Sequence, residues 1–277
     1  MLSTITCQFV NIDWIEKQVR IEYQWVGNKD VHDAKQPLII FLHEGLGSVA
    51  MWKDFPHRLC EAANFRGLVY SRPGYGKSTP RAADEIWQPD FMHCQAFEVL
   101  PALLGALDID TKSNPPWLFG HSDGGSIALL FAAKYPIFTS GIIVLAPHIL
   151  VENVSLSSIE KAKIAFQNTD LCSKLARFHD DVDSAFWGWN DIWLNPAFLH
   201  WNLSKTIKTI TCPILAVQGL DDEYGTLEQI RGIKRVLPHA NLLELPNCGH
   251  SPHRDQTKAL IEASVSFISP QPQPSAT

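Results

Sequence analysis

Two hydrophobic patterns divide the chain into a short opening part and a longer remainder. Residues 19–26, which read Val-Arg-Ile-Glu-Tyr-Gln-Trp-Val, alternate apolar and polar side chains, as in a strand with one face in water. Together with the run from Ile5 to Trp14, they predict an antiparallel pair of strands. From Pro37 onward, short continuous apolar runs replace the alternation. Such runs are typical of parallel strands that helices cover on both faces.

The continuous apolar runs alternate along the chain with segments that have a helical pattern. The strands predicted after the opening pair lie at 37–42, 67–70, 117–119, 141–146, 213–217 and 241–245. The predicted helices lie at about 52–64, 90–107, 124–135, 227–237 and 255–268. This regular alternation of strand and helix predicts an α/β fold built on a doubly wound, mostly parallel sheet of eight strands.

One segment interrupts the alternation. Residues 147–204 contain no strand-like run, only amphipathic helical pieces, and they hold four of the nine tryptophans. We therefore predict an α/β core at 1–146 and 205–268, with a helical lid or cap at 147–204 after the sixth strand. Its aromatic side chains either dock the helices on the sheet or line an apolar acyl or alcohol pocket, and both interpretations stay open. The proline-rich residues 269–277 are expected to be disordered.

Composition and charge argue against several classes of partner. The formal net charge of −6 and the scattered basic residues argue against nucleic acid and anionic membranes. The apolar runs are too short to cross a bilayer, and the first residues do not resemble a secretory signal. The six cysteines are far apart and form no C-x-x-C pair, which favours free thiols and a cytoplasmic location. We expect neither a metal nor a cofactor.

The sequence Gly120-His121-Ser122-Asp123-Gly124 is the strongest indication of chemistry. An apolar run at 117–119 precedes it, and a helical run that ends before Pro136 follows it. Strand, G-x-S-x-G and helix in this order are typical of a nucleophile elbow, a tight turn that exposes the serine hydroxyl at the edge of the sheet. We therefore expect Ser122 to be a nucleophile.

A serine nucleophile needs a base, and the base needs an acid that orients it. His250 is the candidate base, because it follows the last predicted strand and directly precedes the predicted N-cap Ser251. His253, one turn later, is expected to face solvent or to cap the helix. The acid should follow the strand 213–217, where Asp221, Asp222 and Glu223 stand in a row. The order serine, acid, histidine is that of the hydrolases that carry this elbow.

An oxyanion hole would require two backbone N–H groups beside the nucleophile. We expect one from Asp123 and the other from Gly45, in the glycine-containing loop after the first parallel strand. The carboxylate of Glu44 should point away from an oxyanion or toward a cation. The side chain of Asp123 has two open interpretations: an acid favoured at a helix N-terminus, or a partner for a cationic group of the substrate.

Together these motifs resemble the α/β-hydrolase superfamily. They occur in the family's order as His43-Glu44-Gly45-Leu46-Gly47, Arg72-Pro73-Gly74-Tyr75-Gly76-Lys77-Ser78, Gly120-His121-Ser122-Asp123-Gly124-Gly125, Gly219 to Glu223 and Cys248-Gly249-His250. The family's G-x-x-D spacing implies that Asp222, with Asp221 as the second choice, is the acid. The elbow is also similar to the valacyclovir-hydrolase-like branch, where this aspartate binds a substrate amine, and to the enol-lactonase-like branch. Glu44 departs from the glycine of many relatives.

The resemblance implies a serine hydrolase that cleaves a small carboxylic ester through an acyl-enzyme on Ser122. Four alternatives stay open: a lactonase or carbon–carbon bond hydrolase with the same triad, an α-amino-acid ester hydrolase that uses Asp123, a cofactor-free haloperoxidase-like enzyme, and a hydrolase-like ligand receptor. The expected partner is a small ester or lactone, and the protein is expected to be a monomer or homodimer. The predicted pocket residues are Glu44, Leu46, His121, Trp187, Trp189 and Trp193.

Overall fold

The computed structural model describes residues 7–27, 31 and 33–269, which form one eight-stranded sheet with helices on both faces. The strands are β1 (Gln8–Trp14), β2 (Lys17–Gly27), β3 (Leu38–Leu42), β4 (Arg66–Tyr70), β5 (Trp117–His121), β6 (Gly141–Leu145), β7 (Ile214–Gly219) and β8 (Asn241–Leu245). The helices are α1 (Phe55–Ala63), α2 (Phe91–Cys94), α3 (Leu100–Ala106), α4 (Asp123–Lys134), α5 (Asn153–Asn168), α6 (Leu171–Leu175), α7 (Val182–Trp193), α8 (Glu228–Val236), α9 (Pro252–Asp255) and α10 (Thr257–Ile268).

The strand order is β1-β2-β4-β3-β5-β6-β7-β8. β1 pairs antiparallel with β2, and β2 antiparallel with β4, whereas every other neighbouring pair is parallel. The predicted eight-stranded, mostly parallel sheet with an antiparallel opening pair is therefore confirmed. Residues 5 and 6 of the predicted first strand, and residues 270–277 of the predicted disordered tail, lie outside the described residues.

Alternate residues of the central strands belong to two separate hydrophobic cores, one on each face of the sheet. Ile40 and Leu118 belong to a large apolar cluster on one face of the sheet. Phe41 and Phe119, one residue further on, belong to the cluster on the other face. Successive side chains of a strand point to opposite faces, so a strand covered on both faces must be apolar at every position. This is why the central strands lack the alternation seen in residues 19–26.

The helix predicted at 90–107 runs without a break from Phe91 to Ala106, but its middle turn is wider than an α-helical turn. α2 and α3 are separated by a π-helical turn, Gln95–Val99, and Pro101 lies in the first turn of α3. Proline has no N–H to donate to the preceding turn, and the wider π turn accommodates this loss just before it.

Residues 147–204 contain α5, α6 and α7 and no strand, apart from one isolated bridge between Leu150 and Asn202. These helices follow β6, in the interval where the sequence predicts a lid. None of the helices in the described part of the chain combines the length and apolar character needed to cross a membrane.

The residues of the candidate site follow five neighbouring strands of the sheet. The loop at 43–46 follows β3, Ser122 follows β5, His148 lies just after β6, Asp222 follows β7, and His250 follows β8. Because β3, β5, β6, β7 and β8 are parallel neighbours, their carboxyl ends meet at one edge of the sheet. The topology thus brings together residues that are far apart in the sequence.

Candidate active site

Ser122 occupies a strained turn between β5 and α4. Its φ of 53° and ψ of −120° lie outside the regions that side chains ordinarily adopt, at a cost of about 1–3 kcal/mol. The turn has no room for side chains at its flanks. A Cβ on Gly120 would collide with the carbonyl of Gly124, and a Cβ on Gly124 would collide with the carbonyl of Leu42. The glycines of G-x-S-x-G are thus required by contact, and the structure has the geometry of a nucleophile elbow.

Ser122, His250 and Asp222 form a continuous hydrogen-bonded chain. The Ser122 Oγ lies 2.9 Å from His250 Nε2, and His250 Nδ1 lies 2.9 Å from Asp222 Oδ1. Since the carboxylate accepts from Nδ1–H, Nε2 of the neutral ring carries the lone pair that faces the serine hydroxyl. This arrangement can remove the serine proton as an attack on a carbonyl begins.

Several donors hold the carboxylate of Asp222 in place. Its Oδ1 accepts from the N–H of Tyr224 at 2.8 Å, and its Oδ2 accepts from Gln218 Nε2 at 3.0 Å. Burial opposes ionisation of this carboxyl, but the hydrogen bond to His250 and the further donors outweigh it, so the pKa of Asp222 is lowered. Asp221 is exposed and makes no side-chain hydrogen bond within the described chain. The structure therefore brings Asp222, and not Asp221, to the histidine.

The loop that carries His250 is anchored on His121, the residue before Ser122. His121 Nε2 lies 2.6 Å from the carbonyl oxygen of His250.

The expectation that His253 faces solvent or caps a helix is wrong. Its side chain is buried because α9 packs its inner face against the sheet. The centroid of its ring lies 4.9 Å from the ring centroids of both Trp52 and His121. Burial, together with His121, lowers the pKa of His253 to about 2.

Hydrogen bonds to the carbonyl of Glu44 fix the orientation of the loop after β3. This carbonyl accepts from His43 Nδ1 at 2.7 Å and from Arg72 Nη2 at 2.9 Å. The carbonyl of Glu44 and the N–H of Gly45 belong to one trans peptide unit and point in opposite directions. The N–H of Gly47 also donates to this carbonyl at 3.0 Å, so the three donors together set the direction of the Gly45 N–H. Neither this N–H nor that of Asp123 donates a hydrogen bond among the described residues.

The side chain of Glu44 is directed toward basic groups. Its carboxylate lies 3.4 Å from His121 Nδ1 and 3.6 Å from Arg254 Nη2. Burial opposes ionisation of this carboxyl, and the contacts with His121 and Arg254 outweigh that effect, so the pKa of Glu44 lies well below its usual range. The guanidinium of Arg254 is the full positive charge beside this carboxylate.

The side chain of Asp123 is also engaged by the protein itself. Its Oδ1 accepts from the indole N–H of Trp193 at 3.2 Å, and its Oδ2 lies 3.7 Å from Arg72 Nη2. Arg72 and Asp123 are both almost fully buried, so each charge is the other's main compensation. Burial raises the pKa of Asp123, while Arg72 and the Trp193 hydrogen bond act in the opposite direction. This ion pair favours the interpretation that Asp123 serves the protein rather than a cationic substrate.

A cavity of about 120 Å³ opens beside Ser122. Five of the six predicted pocket residues line it: Glu44, Leu46, His121, Trp189 and Trp193. Trp187 does not, because Trp189 and Trp193 are four residues apart on one face of α7 while Trp187 points to another. Its ring packs edge-on against those of Phe166 and Phe186.

Four residues that line this cavity were not predicted as site residues from the sequence: His148, Ile159, Tyr224 and Ser251. His148 and Tyr224 follow parallel strands at the same edge as the other site residues, and that position is a signal that could have identified them. Ile159 lies inside α5 and has no such signal. The role of Arg72 was also not predicted, although Arg72 belongs to one of the motifs that carry the resemblance.

Larger cavities lie elsewhere in the described part of the chain, whereas no metal-binding cluster does. A larger cavity of about 450 Å³ lies between the β1–β2 hairpin and residues 73–95, and it shares no lining residue with the cavity beside Ser122. Among residues 7–27, 31 and 33–269, no three His, Cys, Asp or Glu side chains are grouped so that they could hold a metal ion.

Comparison with known proteins gives one family match that covers most of the chain. The family model described as the alpha/beta hydrolase family matches residues 39–263. This range contains Ser122, Asp222 and His250, and it also contains the helices between β6 and β7.

Individual relatives are distant and differ in reaction. The chain is 26% identical, over 91% of its length and 96% of the relative's, to 2-hydroxy-6-oxo-6-phenylhexa-2,4-dienoate hydrolase of Burkholderia cepacia. It is 24% identical, over 85% of its length and 82% of the relative's, to an sn-1-specific diacylglycerol lipase of Mus musculus. The crystal structure of the enol-lactonase from Burkholderia xenovorans LB400 matches with a TM-score of 0.70 at 19% identity, over 90% of this chain and 96% of that one.

Proposed function

The chain belongs to the alpha/beta hydrolase family, and we propose that it is a serine hydrolase that cleaves small carboxylic esters through an acyl-enzyme on Ser122. The observation that carries this proposal is the unbroken hydrogen-bonded chain from Ser122 through His250 to Asp222. Hydrolase activity is common to the relatives, whereas the kind of bond cleaved differs among them.

In the first half of the reaction, Ser122 Oγ attacks the ester carbonyl carbon and its proton passes to His250 Nε2. Asp222 stabilises the resulting imidazolium through its hydrogen bond to Nδ1. The negative charge that forms on the carbonyl oxygen is stabilised by the N–H groups of Gly45 and Asp123. The carbon–oxygen bond to the alcohol then breaks, and the proton on Nε2 passes to the departing alkoxide.

In the second half, water attacks the acyl-enzyme. His250 Nε2 takes a proton from the water as its oxygen bonds to the acyl carbon. The oxyanion forms again between the same two N–H groups. Collapse of this intermediate breaks the bond to Ser122 Oγ, which recovers its proton from His250, and the carboxylic acid leaves. No step in this cycle needs a metal or a cofactor.

The charge around the cavity favours neutral esters over carboxylate-bearing substrates. No lysine or arginine is among the described residues that line it, while Glu44 and Asp123 are. Each of those two carboxylates already faces a guanidinium of the protein, Arg254 at 3.6 Å from Glu44 and Arg72 at 3.7 Å from Asp123, which disfavours an amine as their partner. A volume of about 120 Å³ is smaller than the ~150 Å³ cavity that holds benzene. We therefore expect the part of the substrate that lies beside Ser122 to be short and uncharged, while the rest extends out of the open cavity.

A lactonase or carbon–carbon bond hydrolase is the second candidate, because the same triad serves these reactions and relatives carry them out. An α-amino-acid ester hydrolase would need the substrate amine to bind Asp123 Oδ2, which is buried and already lies 3.7 Å from Arg72 Nη2. A ligand receptor would acylate slowly or not at all. We also propose a reducing, cytoplasmic setting, since all six cysteines are free.

The experiment that tests the proposal combines labelling with a substrate panel. A serine-directed fluorophosphonate is expected to modify Ser122, as read by peptide mass spectrometry. Nitrophenyl esters of increasing chain length, amino-acid esters, lactones and a 2-hydroxy-6-oxo-dienoate then rank the bond types. Ser122→Ala is expected to reduce ester turnover by roughly 10⁴ or more, and Ser157→Ala, an exposed position on α5, is the control. A Ser122→Ala enzyme that retains the wild-type rate would refute the proposal.

A further inference from the structure

His148 is a buried histidine in the wall of the cavity beside Ser122, and the mechanism above gives it no role. Its backbone is held on the nucleophile helix α4. The N–H of His148 donates to Ser126 Oγ at 3.1 Å, and its carbonyl accepts from the same hydroxyl at 2.6 Å. The next residue, Ile149, donates its N–H to Gln229 Oε1 at 2.7 Å. These contacts fix the position of the ring relative to the nucleophile.

The ring lies between the cap helix α7 and the histidine of the triad. Its centroid is 4.8 Å from that of Trp193, edge to face, and 5.8 Å from that of His250. Because His148 and Ser122 line the same cavity, the ring can touch a substrate whose carbonyl is bonded to Ser122. Among the described residues, Ser122 Oγ hydrogen-bonds His250 and not His148, so His148 is not placed for proton transfer.

The polar atoms of this ring have no partner within the described protein. Nδ1 is buried without a hydrogen bond, and Nε2 makes none to the described residues either. Burial, together with His250 and His121, lowers the pKa of His148 to about 3. A neutral imidazole offers one donor and one acceptor, and leaving such groups unpaired costs about 1–3 kcal/mol. Nδ1 has almost no accessible surface, whereas Nε2 is not sealed in this way, so Nε2 is the atom that an oxygen of a cavity occupant can reach.

We propose that His148 is a specificity-determining residue, whose neutral imidazole hydrogen-bonds a hydroxyl or carbonyl oxygen carried by the substrate next to its ester or lactone group. The preferred substrates are then short hydroxy- or oxo-substituted esters, rather than plain alkyl esters. The inference rests on the proposed function, because it takes Ser122 as the nucleophile that fixes the substrate's carbonyl.

The test compares matched substrates that differ by one oxygen. On the acyl side these are the nitrophenyl esters of butyrate, 3-hydroxybutyrate and 3-oxobutyrate, and on the alcohol side the ethyl and 2-hydroxyethyl esters of butyrate. The wild-type protein is expected to prefer at least one oxygenated member of these sets. In His148→Phe, which keeps an aromatic ring without a donor or acceptor, the preference measured as a ratio of kcat/KM is expected to fall about tenfold. His148→Gln should restore part of it.

His93→Phe is the matched control, because His93 also has a buried ring nitrogen without a partner but lies outside the cavity. Its kcat/KM ratio should equal that of the wild type. If His148→Phe does not fold, the same kcat/KM ratios are compared between His148→Leu and His148→Gln. Equal losses on both members of each pair, or an unchanged ratio, would overturn the inference and assign His148 a packing role. Absence of phosphonate labelling at Ser122 would instead refute the proposed function itself.

Discussion

The guanidinium Nη2 of Arg72 lies 2.9 Å from the carbonyl oxygen of Glu44 and 3.7 Å from the carboxylate of Asp123. One buried side chain thus contacts both residues that flank the proposed oxyanion hole: the peptide that presents the N–H of Gly45, and the residue whose own N–H is the second donor. This relationship gives Asp123 a structural reason to be acidic, because it neutralises a guanidinium that has no access to water.

Arg72→Lys should therefore lower kcat more than it raises KM. Lysine keeps the charge that Asp123 requires, but it is a point charge and does not reproduce the planar contact with two residues. A misplaced oxyanion donor costs roughly 10²- to 10³-fold in kcat. KM should change by less than about threefold, because the donors act on the transition state more than on the ground state. Steady-state kinetics on a nitrophenyl ester measure both constants.

The control for this substitution is Arg58→Lys, on the exposed surface of α1, with unchanged kinetics expected. A rise in KM at constant kcat in Arg72→Lys would assign the arginine to substrate binding and contradict its positioning role.

Asp222→Asn and Asp221→Asn should separate the two neighbouring acids. In Asp222→Asn the amide would leave His250 in the wrong tautomer, and the expected loss in kcat is on the order of 10⁴. Asp221→Asn should leave kcat within about twofold, because its side chain is exposed and away from the histidine. Comparable losses in the two variants, measured on one ester, would mean that the hydrogen bond between Asp222 and His250 is not the one used in turnover.

Trp189→Ala and Trp187→Ala should differ in substrate preference, although only two positions separate them on α7. Trp189 lines the cavity and packs against Gly45, so its removal should shift the ratio of kcat/KM for hexanoate over acetate esters upward by about tenfold. Trp187 packs on Phe166 and Phe186 instead, so its removal should lower the melting temperature and leave the ratio unchanged. Measuring kcat/KM for esters of increasing acyl length tests both variants. Identical chain-length profiles for the two variants would contradict the assignment of Trp189, and not Trp187, to the wall of the cavity.

Acid should destabilise the fold in part through His253. Its pKa lies near 2 in the folded state and near 6.5 when unfolded, so below about pH 6.5 the unfolded chain binds a proton that the folded protein does not. Folding stability therefore falls as pH decreases from 6.5 toward 2, by about 1.4 kcal/mol per pH unit for this group. Urea unfolding at pH 6.5 and pH 5 should show a loss about 2 kcal/mol smaller in His253→Phe than in the wild type. An equal loss in both proteins would place the acid sensitivity elsewhere.

Much of the framework follows from local sequence. The eight strands and their two classes can be predicted because strands covered on both faces need an apolar side chain at every position. The elbow around Ser122 can be predicted because a tight turn needs glycine on both sides. The identity of the family follows for the same reason, since its motifs are short and contiguous. The buried position of His253 and the outward position of Trp187 were not predicted, because each depends on which face of a helix meets the sheet or its neighbours.

The sequence by itself determined the class of fold, the candidate nucleophile and base, and a run of three acids, of which the family resemblance put Asp222 first. Only the tertiary structure decided that Asp222 meets His250, that Arg72 contacts both Glu44 and Asp123, and that His148 enters the cavity. The physical reason is distance along the chain: these contacts join the ends of parallel strands that are brought to one edge by sheet pairing, and no local pattern of apolar and polar residues encodes which side chains meet there.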